Sequence, residues 1–469
     1  MRSRTAGALV FATLFLSYAW FFQGGGYNPN SRLALTRALA EHGTLSIDAY
    51  PVTGDWAEHG GRRYANKAPG LSFLAAPVWP LTASIAPEGR GFGLSRRAWV
   101  VNLAVNALPA ALLGWLLFTA LGLLRAGSPR LRAAAALAYG LGTLAFPYAT
   151  AFYAHQPAAA AGFAAFTALL AGEGASRPRH LAVVAGACAG LAVTLETSTA
   201  LVVLGLGAWL VLDPRRRGLL LPFVIGGLPF ALALGAYNAT AFGSPWTLWV
   251  AHANPAVEVR VDGRLFGAPS LGNAVALLVM PYRGLFYTSP VLLLALAGWP
   301  QLWRTRPGVS LLCAGIPLAF LVVVSSFHAW YGGWAPGARY LVPALPFLFV
   351  PVAFGLPRWP AVSWPLAAVS IACMLVITAV AVEIPADFAN PLLDFALPRF
   401  LAGEVAVNPQ LLDVRLPPAT YGTGQAATNS ASFNLGELAG LHGLIGLAPL
   451  VALWAAAGFT LALGGRKRV

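Results

Sequence analysis

Apolar runs of near membrane-spanning length recur from one end of this chain to the other, and they decide what it can fold into. The candidate spans are 6–23, 98–124, 133–150, 157–172, 181–196, 198–212, 219–238, 286–303, 309–326, 340–356, 360–382 and 443–463. A helix crosses the hydrocarbon layer with about 20 apolar residues, and inside that layer every backbone N–H and C=O needs an internal partner. The chain is 58% hydrophobic and 10% charged. A soluble domain covers its surface with about 25% charged residues. Lipid is therefore the main solvent here. The expectation is a single polytopic, all-α membrane domain over 1–469 with about twelve transmembrane helices.

Charge sets the direction of the spans. Residues 71–86 are apolar but short, and Pro77 and Pro80 interrupt them. With that segment lying at the outer surface, both termini and the short loops fall on one side. Those loops hold Arg125, Arg130, Arg132, Arg177, Arg179, Arg215, Arg216, Arg217, Arg304, Arg306 and Arg358, with Glu173 and Asp213 as their only acids. Short basic loops face the cytoplasm. If 71–86 crossed the membrane, every later loop would flip and this charge would face outward. The reading is an integral protein of the inner, cytoplasmic membrane with both termini cytoplasmic. Its extracytoplasmic face is built from loops 24–97, 239–285, 327–339 and 383–442.

Residues 6–22 read as a retained first helix. No small-x-small cleavage site follows, and Tyr18, Trp20, Phe21 and Phe22 make an aromatic border. The net charge of +14 belongs to basic loops beside lipid rather than to nucleic-acid binding. Cys188, Cys313 and Cys373 sit in apolar runs and have neither disulfide nor metal spacing.

The first outer loop is dense in ionisable groups: Asp48, Asp55, Glu58, His59, Arg62, Arg63 and Lys67. Asn28-Pro29 has the form of a helix start, with Asn as N-cap and Pro in the first position. Leu35, Ala38, Leu39 and His42 follow at helical spacing, and Gly43 supplies a stop. This predicts a short amphipathic helix over 29–42 on the membrane surface. Gly60-Gly61 predicts a turn.

The order of these features resembles the GT-C membrane glycosyltransferases, of the aminoarabinose and protein mannosyltransferase type. The likeness rests on an apolar first helix, Asn30-Ser31-Arg32, Asp55, and Tyr64-x-x-Lys67-x-Pro69-Gly70. It continues in Phe152-Tyr153-Ala154-His155-Gln156-Pro157, Leu195-Glu196, Tyr282-Arg283-Gly284-Leu285-Phe286, Trp330-Tyr331-Gly332-Gly333-Trp334 and Gly337-Ala338-Arg339-Tyr340. The resemblance implies a large first outer loop with interfacial helices. It also implies transfer of a sugar from a polyprenyl-phosphate donor, with an acid in that loop activating the acceptor and basic residues binding the donor phosphate. One departure stands out. Where the family carries an acidic pair before the first loop helix, this chain has Pro29-Asn30, and the second expected acid is Gln156 beside His155.

Glycosyl transfer needs a carboxylate to orient or deprotonate the acceptor hydroxyl and cations to stabilise the departing phosphate. Asp55 is the first choice for the acid and Asp48 the rival; either also suits an ordinary loop turn. Lys67, Arg283 and Arg339 are the phosphate candidates, against snorkelling or anchoring roles at the interface. Glu196 stands at the edge of two apolar runs, as a substrate contact or as the partner of an arginine such as Arg339. His155 and Gln156 are substrate-binding candidates at an outer helix end. Tyr331 and Trp334 make either an interfacial belt or a sugar platform. No carboxylate cluster has metal spacing, so no obligatory metal is expected, although scattered acids leave a divalent ion possible.

The resulting expectation is a glycosyltransferase moving a sugar from a polyprenyl-phosphate donor to a lipid, glycan or protein acceptor outside the cytoplasm. The alternatives are a transporter or flippase of lipid-linked saccharide, or a catalytically silent relative that binds lipid-linked sugar.

Overall fold

The computed structural model describes residues 3–50, 53–85, 93–407 and 432–463. It is a multi-pass helical membrane protein. Six helices have the length and apolarity to cross a bilayer: Leu94–Leu123, Pro178–Leu195, Arg217–Phe242, Pro307–Ser326, Pro360–Val380 and Gly443–Leu463. This corrects the expected count of twelve to six clear crossings among the described residues. The other predicted spans are helical but short or broken. Ser3–Ala19 has 17 residues, and at 1.5 Å per residue it is about 26 Å long. Segment 133–150 divides at Thr143, whose backbone is extended, into Pro129–Gly142 and Ala145–Thr150. Segment 286–303 divides into Leu285–Thr288, a tight turn at Pro290–Leu293, and Leu294–Thr305. Thr197–Leu212 and Arg339–Gly355 are apolar but shorter than a full crossing. The described part of 71–86 holds only the helix Gly70–Ala75 and a turn at Trp79–Thr82.

Local sequence explains where many helices begin. Proline stands in the first turn of Pro129–Gly142, Pro178–Leu195, Pro307–Ser326 and Pro360–Val380, where its missing N–H costs nothing. Glycine explains the tightest packing. A methyl group at Gly186 would run into the Phe223 carbonyl, and one at Gly226 into the Val183 carbonyl. The helices Pro178–Leu195 and Leu220–Phe242 thus approach backbone to backbone, the use that membrane helices make of small residues.

The two ends of the bundle differ chemically. At one end Glu173 accepts from Arg216 at 2.6 Å and from Arg306 at 2.7 Å, and Asp213 pairs with Arg216 at 2.7 Å. At the other end lie the first loop and the residues around His155 and Glu196. The helix His155–Gly172 runs from that end towards Glu173 and has 18 residues, a separation of about 27 Å.

The first loop departs from expectation at its helix. It spans Tyr27–His42 and starts from Gly26, not from Asn28. Asn28 instead accepts a hydrogen bond from Arg32 Nε at 3.0 Å. Its first half is not exposed as an amphipathic surface helix would be: Asn28 to Thr36 are all buried, Leu33 in a cluster with Leu71, Ala75 and Trp79 and Leu35 in one with Tyr64, Tyr237 and Phe242. The Gly43 stop holds, with φ 63°, its N–H bonded back to Leu39 and the next one, of Thr44, to Ala38. Two small antiparallel pairs accompany the helices, Phe21–Phe22 with Phe433–Asn434 and Trp56–His59 with Arg62–Ala65.

Candidate active site

The second strand pair explains how Asp55 meets Lys67. Gly60 and Gly61 both take positive φ, 59° and 73°, the conformation of a two-residue hairpin turn. Trp56 pairs with Ala65 in register, so the chain just outside that pair brings Asp55 beside Asn66 and Lys67. The Asn66 N–H donates to the Asp55 carbonyl at 3.3 Å. Lys67 Nζ lies 2.9 Å from Asp55 Oδ2, with the two side chains 20% and 14% exposed. The pair is thus shielded yet reachable. Loop 239–285 closes over it. Asn254 donates from its side chain to the Gly54 carbonyl at 3.0 Å and from its backbone to Trp56 at 2.9 Å.

A second group sits beneath. Arg32 is buried; its Nη1 donates to the Ala68 carbonyl at 3.0 Å and its Nη2 to Glu196 Oε2 at 3.3 Å. His155 Nδ1 is 3.4 Å from the same oxygen. Glu196 therefore partners Arg32, not Arg339. Burial opposes its ionisation, but the nearby His155 imidazole and the charges of Arg32 and Lys67 outweigh burial and hold the carboxyl at about 2. Gly70 makes this proximity possible. A Cβ there would lie 2.5 Å from the Thr194 carbonyl, so only glycine lets the turn after Lys67 rest on the backbone leading to Glu196.

A third group completes the site. Arg339 Nη1 donates to the Tyr153 hydroxyl at 2.9 Å, and that hydroxyl donates to Glu383. Tyr153 stacks on His155 with ring centroids 5.4 Å apart. Two buried asparagines hold the segment that carries them. Asn106 donates to the Tyr148 carbonyl at 2.9 Å and Asn102 to Ala149 at 3.2 Å.

The remaining candidates fall outside this cluster or serve it indirectly. Asp48 is exposed and engaged elsewhere, accepting from Ser46 Oγ at 2.6 Å and from the Arg63 N–H at 3.0 Å. Arg283 is fully buried, and its three guanidinium nitrogens donate to the carbonyls of Tyr331, Tyr282 and Gly333 at 2.8, 3.0 and 2.9 Å. It holds the 331–333 turn, where Gly332 has φ 77° and packs on the Arg339 side chain. Arg283→Met is expected to lower stability by about 3 kcal/mol by orphaning these carbonyls, read as the unfolding midpoint in detergent. Tyr331 and Trp334 are half-buried in that turn. Gln156 is buried beside Tyr139. Among the described residues no group of three or more His, Cys, Asp or Glu is gathered as a metal site.

Sequence reasoning missed Arg32, Tyr153 and Glu383 as members of the cluster. Arg32 and Tyr153 lie inside quoted motifs. Glu383 had a signal too: it is the acid that directly follows the apolar run ending near Val382.

No family model and no curated protein matches the chain. Solved structures do. The apo Archaeoglobus fulgidus oligosaccharyltransferase is similar with a TM-score of 0.50 at 13% identity, over 92% of this chain and 63% of that one. The fold is GT-C-like. ArnT from Cupriavidus metallidurans is also similar, at 19% identity and a TM-score of 0.49 in its apo state, over 98% of this chain and 75% of ArnT. Its structure bound to undecaprenyl phosphate gives 18% and 0.49, over 98% and 76%. Within this GT-C-like fold, loop 24–97 and the ends of several helices enclose the three charged groups just described.

Proposed function

We propose that the chain is a glycosyltransferase that moves a sugar from a polyprenyl-phosphate donor to an acceptor outside the cytoplasm. The observation that carries this reading is the Asp55–Lys67 pair, partly exposed and set against the Arg32–Glu196–His155 and Arg339–Tyr153–Glu383 groups in a GT-C fold. The site lies at the end of the bundle away from the basic loops, which makes it extracytoplasmic by the distribution of positive charge. Both termini are assigned to the cytoplasm on the same ground; the last residues lie outside the described ones.

In this reading the acceptor hydroxyl oxygen attacks the anomeric carbon of the sugar. The bond from that carbon to the phosphate oxygen breaks, and the lipid phosphate leaves with the electron pair. Asp55 orients the hydroxyl and takes its proton. Lys67 and Arg339 stabilise the leaving phosphate, in a low-dielectric site where such contacts act most strongly. Lys67 has a second effect. The donor phosphate competes for its ammonium group and so frees the Asp55 carboxylate to accept the proton. Arg32, Glu196 and His155 frame the site, and Arg283 acts only through the 331–333 turn. Asp48 has no part. No obligatory metal is assigned.

The test is reconstitution in lipid nanodiscs with a panel of polyprenyl-phosphate sugars, measuring donor binding and donor consumption. Lys67→Ala is expected to lower consumption by at least about tenfold while the unfolding midpoint stays close to wild type. Equal loss of folding and activity would assign Lys67 to structure instead. Saccharide movement across sealed vesicles without donor consumption would put a transporter in place of the enzyme.

A further inference from the structure

The cations of the site have acidic partners within the protein. Lys67 faces Asp55, Arg32 faces Glu196, and Arg339 reaches Glu383 through the Tyr153 hydroxyl. A phosphate entering among these cations adds negative charge to a shielded place, and some group has to compensate for it. We propose, resting on the polyprenyl-phosphate reading above, that binding of the donor phosphate is coupled to uptake of one proton by the Glu383 carboxylate.

The geometry selects Glu383. It is 5% exposed and stands just past the helix Pro360–Val380. It presses on the backbone of Gly26, where a Cβ would lie 2.7 Å from Glu383 Oε1. The groups that face it are Tyr153 and Tyr148 from the segment before His155, Arg339 from the start of Arg339–Ala344, and Asp55 from the first loop. Among these Arg339 is the cation. Its Nε is buried and makes no hydrogen bond, so it has a donor to offer a phosphate oxygen in addition to the one Tyr153 uses. When the phosphate takes up the charge of Arg339, Glu383 is left buried and uncompensated, and such a carboxylate protonates.

The ionisation of the site's acids agrees. Burial lifts the Glu383 carboxyl to about 7, although Arg339 and the Tyr153 bond pull it down, and Asp55 adds to the rise. Glu196 is held at about 2 and does not take a proton near neutral pH. The proton comes from solvent on binding and returns to it when the lipid phosphate leaves.

The experiment uses the full chain in nanodiscs and a polyprenyl methyl phosphodiester, whose single charge stays constant through the pH range. For wild type the affinity is expected to be flat at low pH and to fall about tenfold per unit above pH 7. Glu383→Gln keeps an oxygen to accept the Tyr153 hydroxyl and imitates the protonated acid. Its affinity is expected to be independent of pH and equal to the low-pH wild-type value. Calorimetry of wild type at pH 8, in two buffers of different ionisation enthalpy, is expected to show close to one proton taken up. That measurement decides the question even where the variant fails to fold. Binding that is independent of pH in wild type, with no proton uptake, overturns the coupling and leaves the enzyme reading intact. Absence of phosphodiester binding at every pH overturns the enzyme reading and the coupling with it.

Discussion

Asp55→Asn is expected to lower donor consumption by about 10²- to 10⁴-fold, the usual weight of a positioned acid or base, with donor binding nearly unchanged. The amide keeps an oxygen for Lys67 Nζ, now 2.9 Å from the carboxylate, and loses the capacity to accept a proton. The pair is partly exposed, so its removal costs about 1 kcal/mol or less in stability. Donor binding and donor consumption, measured on the same nanodisc preparation, separate these effects. Full consumption by the Asn variant would remove Asp55 from the chemistry, and Asp48 would not replace it, since its carboxylate is bound to Ser46 and the Arg63 N–H.

Arg32→Met is expected to produce the largest loss of stability, about 3–5 kcal/mol, the cost of leaving one member of a buried ion pair behind. Arg32 is 1% exposed and Glu196 is 18% exposed at the side chain. Removing both charges in Arg32→Met/Glu196→Leu is expected to cost less than the two single changes added together, because no charge is then stranded. Unfolding midpoints in detergent for the two singles and the double test this; additive losses would show that the pair does not act as a unit. The pH dependence has a definite sign. The Glu196 carboxyl is held at about 2, below its ordinary 4.5. Its contribution is therefore complete above pH 4.5 and disappears as the pH falls from 4.5 towards 2. Wild type is expected to lose stability in that window, and Glu196→Gln to lose less there.

The Arg32 and Asp55 variants probe different parts of one site, and this division follows from how the site is assembled. The Asp55–Lys67 pair belongs to a hairpin formed by neighbouring residues of the chain. The inner groups depend on helices that meet only after folding. A catalytic defect without a stability defect is expected from the Asp55 variant, and a stability defect from the Arg32 variant.

Lipid as the main solvent, the helical class and the start of many helices at proline are written in composition and local pattern. So is the turn at Gly60-Gly61, whereas the strands on either side of it, and with them the approach of Asp55 to Lys67, appear only in the structure. These features depend on neighbours in the chain, where backbone sterics act directly. Tertiary structure decided the rest. Arg32 and Glu196 are 164 residues apart, Arg339 and Tyr153 186, and Tyr153 and Glu383 230. Their meeting is set by helix packing, including contacts that only glycine permits at Gly70, Gly186 and Gly226. The burial of the Tyr27–His42 helix has the same origin. Its own pattern suits a membrane surface, and its buried Arg32 finds partners in Asn28 of the same helix, in the Ala68 carbonyl and in the distant Glu196.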